Sequence, residues 1–215
     1  KFRGAGNGIK LLIAELIGGL IAKKLGFKVP ELVFADLDEA FGKTEGDEEI
    51  QDLLKWSRGL NLGLHFLPDS FAFDPVAHRV DANLASKVVW FDAFLTNIDR
   101  TARNTNMLMF NKELWLIDHG ASLYFHHSWN QWQQHAQSSF ALVKNHVLLP
   151  FADAMHKTNE EFSALLSDDF LYNTTRQIPD DWLQWEGSDL SPDDIRDVYF
   201  QFLSIRLKHS QTFTE

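Results

Sequence analysis

The sequence predicts an α+β fold of two unequal parts, a small mixed α/β portion and a larger, mostly helical one, around a cleft. Three observations predict it. Helical and strand periodicities alternate over residues 1–67, proline and aspartate punctuate residues 68–76, and helical patterning dominates residues 77–215. With 215 residues the chain can form one large domain or two small lobes, and the three stretches read as parts of one domain.

Gly4 to Gly8 (GAGNG) reads as a flexible connection. Ile9 to Leu25 has a broad helical periodicity and closes at Gly26, where a helix C-cap belongs. Pro30 follows, and Leu32 to Leu37 reads as a short strand. Asp38 to Asp52 is acidic and poor in apolar residues, a solvated loop with room for a helical turn. Leu60 to Leu67 reads as a second strand, and Pro68, Asp69, Ser70, Asp74 and Pro75 mark the connector. Ala82 to Leu95 is a helix opened by Asp81 as cap. Met107–Phe110 and Leu114–Ile117 are short apolar runs joined by Asn111-Lys112-Glu113, the pattern of a tight hairpin. From Ser138 the chain reads as helical. Its last helix carries Ser191 as cap, Pro192 at the first position and Asp193-Asp194 at the positive end.

Composition removes several function classes. The chain is 45% hydrophobic, with 18 Phe and 7 Trp to build a core, and its formal net charge is −10. That balance argues against direct nucleic-acid binding or an anionic-membrane surface, since both require a positive face. There are no cysteines, so disulfides and thiolate metal sites are ruled out. The longest apolar stretch, Ile9 to Leu25, is interrupted by Lys10, Glu15, Lys23, Lys24 and two glycines, and it has no signal-peptide cleavage pattern. The expectation is a soluble, cytoplasmic protein. Lys1-Phe2 reads as the end of a strand, so the reading also expects a fragment whose first strands are missing.

The chemistry concentrates in Asn97-Ile98-Asp99-Arg100-Thr101-Ala102-Arg103-Asn104-Thr105-Asn106 and, past the hairpin, in Leu116-Ile117-Asp118-His119-Gly120. Phosphoryl transfer requires one carboxylate to orient the proton of an attacking hydroxyl. It also requires oxygen donors for the divalent ions that bridge nucleotide phosphates. Protein kinases place an Asp, then an Asn five positions on, then a hairpin, then Asp-x-Gly. Asp99 with Asn104, and Asp118 with Gly120, follow that order. Alone, the first pair is most often a loop pair and the second a turn; together around a hairpin they point to phosphotransfer.

The segment VVWFDAFLTNIDRTARNTNMLMFNKELWLIDHGASLYFHH resembles the catalytic core of HipA-like kinase domains. KFRGAGNGIKLLIAELIGGLIAKKLGFKVPELVFADLD and GLNLGLHFLPDSFAFDP resemble the amino-terminal and central parts of the same family. The resemblance implies a bilobal protein-kinase-like fold with a truncated small lobe, binding ATP and Mg²⁺ in the cleft. It implies Asp99 as catalytic base and Asn104 and Asp118 as metal ligands. Lys1 is then the strand lysine on the nucleotide phosphates and Glu15 the helix carboxylate that holds it. Asn106 is expected to lend the loop a hydrogen bond, and Arg100 or Arg103 to bind phosphate. GAGNG follows Lys1, so it is not the phosphate loop of ordinary kinases. An activation segment and an Ala-Pro-Glu motif are also missing.

The resemblance makes Ser or Thr hydroxyls of a protein the leading acceptor, with a lipid headgroup or small alcohol as other hydroxyl sources. Some family members act as toxins with antitoxin partners, a relationship the residues of this chain do not reach. Two other classes compete. His119, His126, His127, His135 and His146 follow Asp118 and suggest a metal-dependent phosphohydrolase, although none forms a zinc-binding helical pair around a glutamate. A kinase-shaped binding module without turnover is the third. Tyr124 to Trp132 (YFHHSWNQW) either lines the cleft mouth or packs the larger part.

Overall fold

In the computed structural model, residues 1–6, 8–184 and 189–214 are described. Helix α1 (Ile9–Lys24) is buried through its middle, including Glu15, so it runs through the core instead of lying on it. Its two internal glycines have steric reasons. A Cβ on Gly18 would stand 2.6 Å from the Cβ of His119, and one on Gly19 would stand 2.7 Å from a methyl of Leu32. The helix ends in a Schellman turn: Gly26 takes φ +85°, and Phe27 N–H donates to the Ala22 carbonyl.

Strand β1 (Leu32–Leu37) pairs antiparallel with β2 (Gly59–Leu64), Leu32 opposite Leu64 and Leu37 opposite Gly59. The first residues of the chain run along β2. Lys1 N–H donates to the Leu62 carbonyl at 2.7 Å, and Leu62 N–H returns a bond to the Lys1 carbonyl. The expected strand ends earlier than predicted, at Leu64, and residues 65–67 lead away from the sheet.

The acidic stretch between β1 and β2 departs from its reading as a loop. Helix α2 (Glu48–Trp56) starts inside it. The Asp47 carboxylate accepts from the N–H groups of Glu49 and Ile50, and Glu48 and Glu49 sit at the positive helix end. The negative charge that looked like solvated loop is helix-starting charge, and Leu54, beyond the expected boundary, provides the buried anchor.

The connector also carries structure. Phe71–Ala72 form β3, which pairs with β4 (Met107–Phe110), and β4 pairs with β5 (Glu113–Leu116). Asn111 and Lys112 both take positive φ (51° and 64°), as a two-residue hairpin turn of matching twist demands. Helix α3 (Ala82–Leu95) has the predicted limits, and Asp81 accepts from Leu84 N–H at 2.9 Å.

The remainder mixes short 3₁₀ turns with α4 (Trp132–Gln137), α5 (Met155–Leu165), α6 (Asp168–Thr175) and α7 (Pro192–Lys208). A reciprocal capping box between Ser191 and Asp194 opens α7. Near its other end, buried Arg206 donates to the carbonyls of Ala93 and Phe94, tying α7 to the last turn of α3. Burial lowers the Arg206 guanidinium to about 9. The segment Tyr124 to Trp132 packs the helical part: Phe125 stacks on Phe202 with ring centroids 4.0 Å apart, and Trp129 meets Phe125 and Tyr199. The architecture is mixed α+β, and no helix among the described residues is long and apolar enough to cross a membrane.

Candidate active site

Helix α3 delivers the loop that follows it. Thr96 takes a left-handed conformation (φ 55°), which stops the helix and turns the chain. Below the turn lies a buried ionic cluster. Asp92 Oδ2 accepts from Arg100 Nε at 2.5 Å and faces His146 Nε2 at 2.8 Å, while its Oδ1 accepts from Asn97 Nδ2 at 2.9 Å. Burial by itself would raise the Asp92 carboxyl; the Arg100 guanidinium and His146 more than offset it and hold it below the usual carboxylate range. Arg100 also donates to the carbonyls of Asn106 and Ile117 and faces His119 Nδ1. Arg100 therefore clasps the loop to α3 and to the end of the hairpin. Its side chain is buried and engaged, which corrects the expectation that it binds phosphate; Arg103 is exposed.

On this support Asp99 is gripped from two sides. Its Oδ2 accepts from Asn104 Nδ2 at 2.7 Å and from Asn106 Nδ2 at 3.1 Å, and its backbone N–H donates to Asn97 Oδ1. Asn106 is buried with φ 46°, and its carbonyl accepts from Ile117 N–H at 3.1 Å. One residue thus joins the carboxylate to the strand that leads to Asp118. With its amide nitrogen committed to Asp99, Asn104 has its amide oxygen as a remaining acceptor.

Asp118 takes a left-handed backbone (φ 54°) just past β5, which throws its half-exposed carboxylate out of the strand line. Its Oδ1 lies 2.5 Å from Lys1 Nζ, and Lys1 Nζ lies 3.6 Å from Glu15 Oε2. Neither Glu15 oxygen has a hydrogen-bond partner within the described structure, and the side chain is fully buried. Burial pushes the Glu15 carboxyl up to about 7, against the pull of Lys1. Helix α1 reaches this depth through two close contacts. Gly18 lies under His119, and Gly120 leaves room for Leu11, whose Cγ would be 2.6 Å from a Cβ there. His119 is buried edge-to-face on Phe91, and burial with the Arg100 charge lowers it to about 3, so the imidazole is neutral. Lys1 and Asp118 open onto a cavity of about 290 Å³ whose opposite wall is residues 64–67.

The five residues Lys1, Glu15, Asp99, Asn104 and Asp118 thus fall into two groups, Asp99–Asn104 and Lys1–Glu15–Asp118, linked through Asn106 and Ile117, and Lys1 and Asp118 line the cavity. A family model for HipA-like kinases matches residues 2–210. The chain belongs to the HipA-like kinase family. No curated protein and no solved structure matches it significantly.

Within this HipA-like kinase the histidines do not gather into one centre. His119 meets Arg100, His126 meets the Tyr199 hydroxyl, and His146 meets Asp92. Among the described residues no group of three His, Cys, Asp or Glu side chains is arranged to hold a metal ion. What the sequence reading missed is the Asp92–Arg100–His146 cluster. Its signal was available: Asp92 is a carboxylate inside the apolar helix of VVWFDAFL, and such a residue requires a buried partner.

Proposed function

We propose that this chain is an ATP- and Mg²⁺-dependent phosphotransferase acting on Ser or Thr hydroxyls of a protein, with a bilobal kinase-like fold closing around the cleft. The observation that carries the proposal is the grip on Asp99. Two amide donors on Oδ2 leave Oδ1 free to accept the proton of an attacking hydroxyl and hold it at a fixed angle. Asn104 and Asp118 supply the oxygen donors that a hard divalent ion takes, a neutral amide and a carboxylate, without piling charge beside the phosphates. Bound Mg²⁺ would neutralise phosphate charge between them. Lys1, backed by Glu15, reaches toward the phosphate oxygens, and the apolar wall at residues 64–67 takes the base of the nucleotide.

Titration calorimetry with ATP, with and without Mg²⁺, tests the site directly. Mg²⁺-dependent binding that Asp118→Ala abolishes, together with phosphate transfer that Asp99→Ala abolishes in a folded protein, supports the proposal. Wild-type activity in both folded variants rules it out. ATP binding without turnover in the wild-type chain would favour a kinase-shaped binding module.

A further inference from the structure

A second cavity, of about 180 Å³, has walls joined by hydrogen bonds to the loop that carries Asp99. Its walls are Phe73, Pro75, Val80, Leu148 and Phe151, with Arg79 and His78 as the titratable members and no carboxylate. One wall residue, Phe73, and the neighbour of another, Val147, are tied to the loop that carries Asp99 and Asn104. Thr105 Oγ1 donates to the Phe73 carbonyl at 3.1 Å. Beside Leu148, Val147 N–H donates to the Arg100 carbonyl at 3.1 Å. Anything seated in the cavity is therefore held in register with Asp99.

The surroundings indicate what it would take. The volume suits one large apolar side chain, and the apolar surface continues onto Phe71 and Val76, which are 55% and 93% exposed. Arg79 in the wall and Arg103 on the loop are exposed and have no hydrogen-bond or ion-pair partner among the described residues. The nearest carboxylates in sequence are occupied by backbone: Asp74 accepts from Val76 N–H and Asp81 from Leu84 N–H. Arg79 is the one guanidinium in the cavity lining, which holds no carboxylate, so an incoming carboxylate has an unpaired partner there.

We infer that this cavity docks the acceptor, a protein segment that places a large apolar side chain in it and a carboxylate on Arg79. The inference rests on the phosphotransfer reading for the role of the segment, but the docking can be measured without turnover.

The probe is a set of fluorescein-labelled Ser peptides carrying one Leu and one Asp walked across the positions flanking the serine. Matched sets replace Leu by Ala, or Asp by Lys. Binding is read by fluorescence anisotropy and transfer by radiolabelled phosphate, on wild type and on Arg79→Glu, whose exposed position spares the fold. At least one Leu/Asp peptide should bind wild type roughly tenfold tighter than its Ala counterpart, the scale of one buried apolar side chain. The same peptide should bind about fivefold tighter than its Lys counterpart, as for an exposed ion pair. Arg79→Glu should invert the Asp/Lys preference and leave ATP affinity unchanged. Binding that ignores Leu, or selection identical in wild type and Arg79→Glu, overturns the inference, as does binding of no peptide at all. Arg79-dependent binding without transfer would sustain the docking and count against the phosphotransfer reading. Transfer with selection blind to Arg79 would do the reverse.

Discussion

Glu15→Gln separates the stability of the site from its function, and the size of the effect follows from burial. The Glu15 carboxyl sits near 7 in the folded chain against an ordinary value of 4.5. Between those values the folded protein holds a proton that the unfolded chain has released, so stability falls as pH rises from about 4.5 to about 7. The full cost above that window is about 3 kcal/mol. Glutamine keeps the shape and carries no ionisation. Its pH-independent cost or gain cancels when the same pair is compared at two pH values. Thermal and urea denaturation of the nucleotide-free protein at pH 5 and pH 8 gives the comparison. Relative to wild type, Glu15→Gln should gain about 2.5 kcal/mol on going from pH 5 to pH 8, or roughly 5–10 °C in Tm for a chain of this size. The variant should lose phosphotransfer because the charge backing Lys1 is gone, a trade of function for stability. A wild-type-to-variant difference that does not change with pH would show that Glu15 is not a buried acid titrating near neutrality.

Other perturbations read other parts of the site. Arg100→Met leaves the Asp92 carboxylate buried with only His146 and the Asn97 amide against it, and should cost about 3–5 kcal/mol in urea denaturation while abolishing transfer. Asn106→Gly keeps the left-handed backbone but removes the second donor to Asp99; stability should change by under about 1 kcal/mol. Its kcat should fall roughly tenfold, the loss of one transition-state hydrogen bond, with ATP affinity by calorimetry unchanged. Gly18→Ala puts a methyl 2.6 Å from His119 Cβ and should cost about 1–3 kcal/mol by overpacking, with weakened Mg²⁺-dependent ATP binding as His119 and Asp118 shift together.

The elements readable in the sequence were those with local causes. Helix α3 has its predicted limits because Asp81 and a continuous apolar run specify both start and content. The β4–β5 hairpin was readable because apolar runs flank Asn111-Lys112, residues placed in the turn where both take positive φ. Helix α2 was read as a loop with room for no more than a helical turn because acidic residues serve equally as solvated loop and as helix N-terminus, and only the bond from Glu49 N–H to the Asp47 carboxylate decides. Strand β3 was invisible, since two residues carry no periodicity and its partner β4 lies some thirty-five residues downstream. The candidate site divides in the same way. Asp99, Asn104 and Asp118 have a fixed chain order, which a sequence displays. That Lys1 reaches both Glu15 and Asp118 depends on β2 holding the first residues in place, a long-range pairing with no local signature.

The support beneath Asp99 explains why the loop holds one geometry. Eight residues, Asp99 to Asn106, precede the hairpin and include a left-handed Asn106 and an Asn104 whose amide is turned to Asp99. Such a loop has little apolar surface of its own to fix it. The fixation comes from below, where one guanidinium joins Asp92 in α3 to the carbonyls of Asn106 and Ile117. A hydrophobic residue of Arg100's size would pack the same space, and replacing a buried ion pair by apolar groups is often neutral for stability. It would, however, supply no donors to the carbonyls of Asn106 and Ile117. The value of the buried charge here lies in direction: Arg100 sets the distance between the Asp99 loop and the strand end carrying Asp118, and a misplacement of about 1 Å between such groups costs roughly a hundredfold in rate. The cluster is thus part of the support of the candidate site as much as of the core.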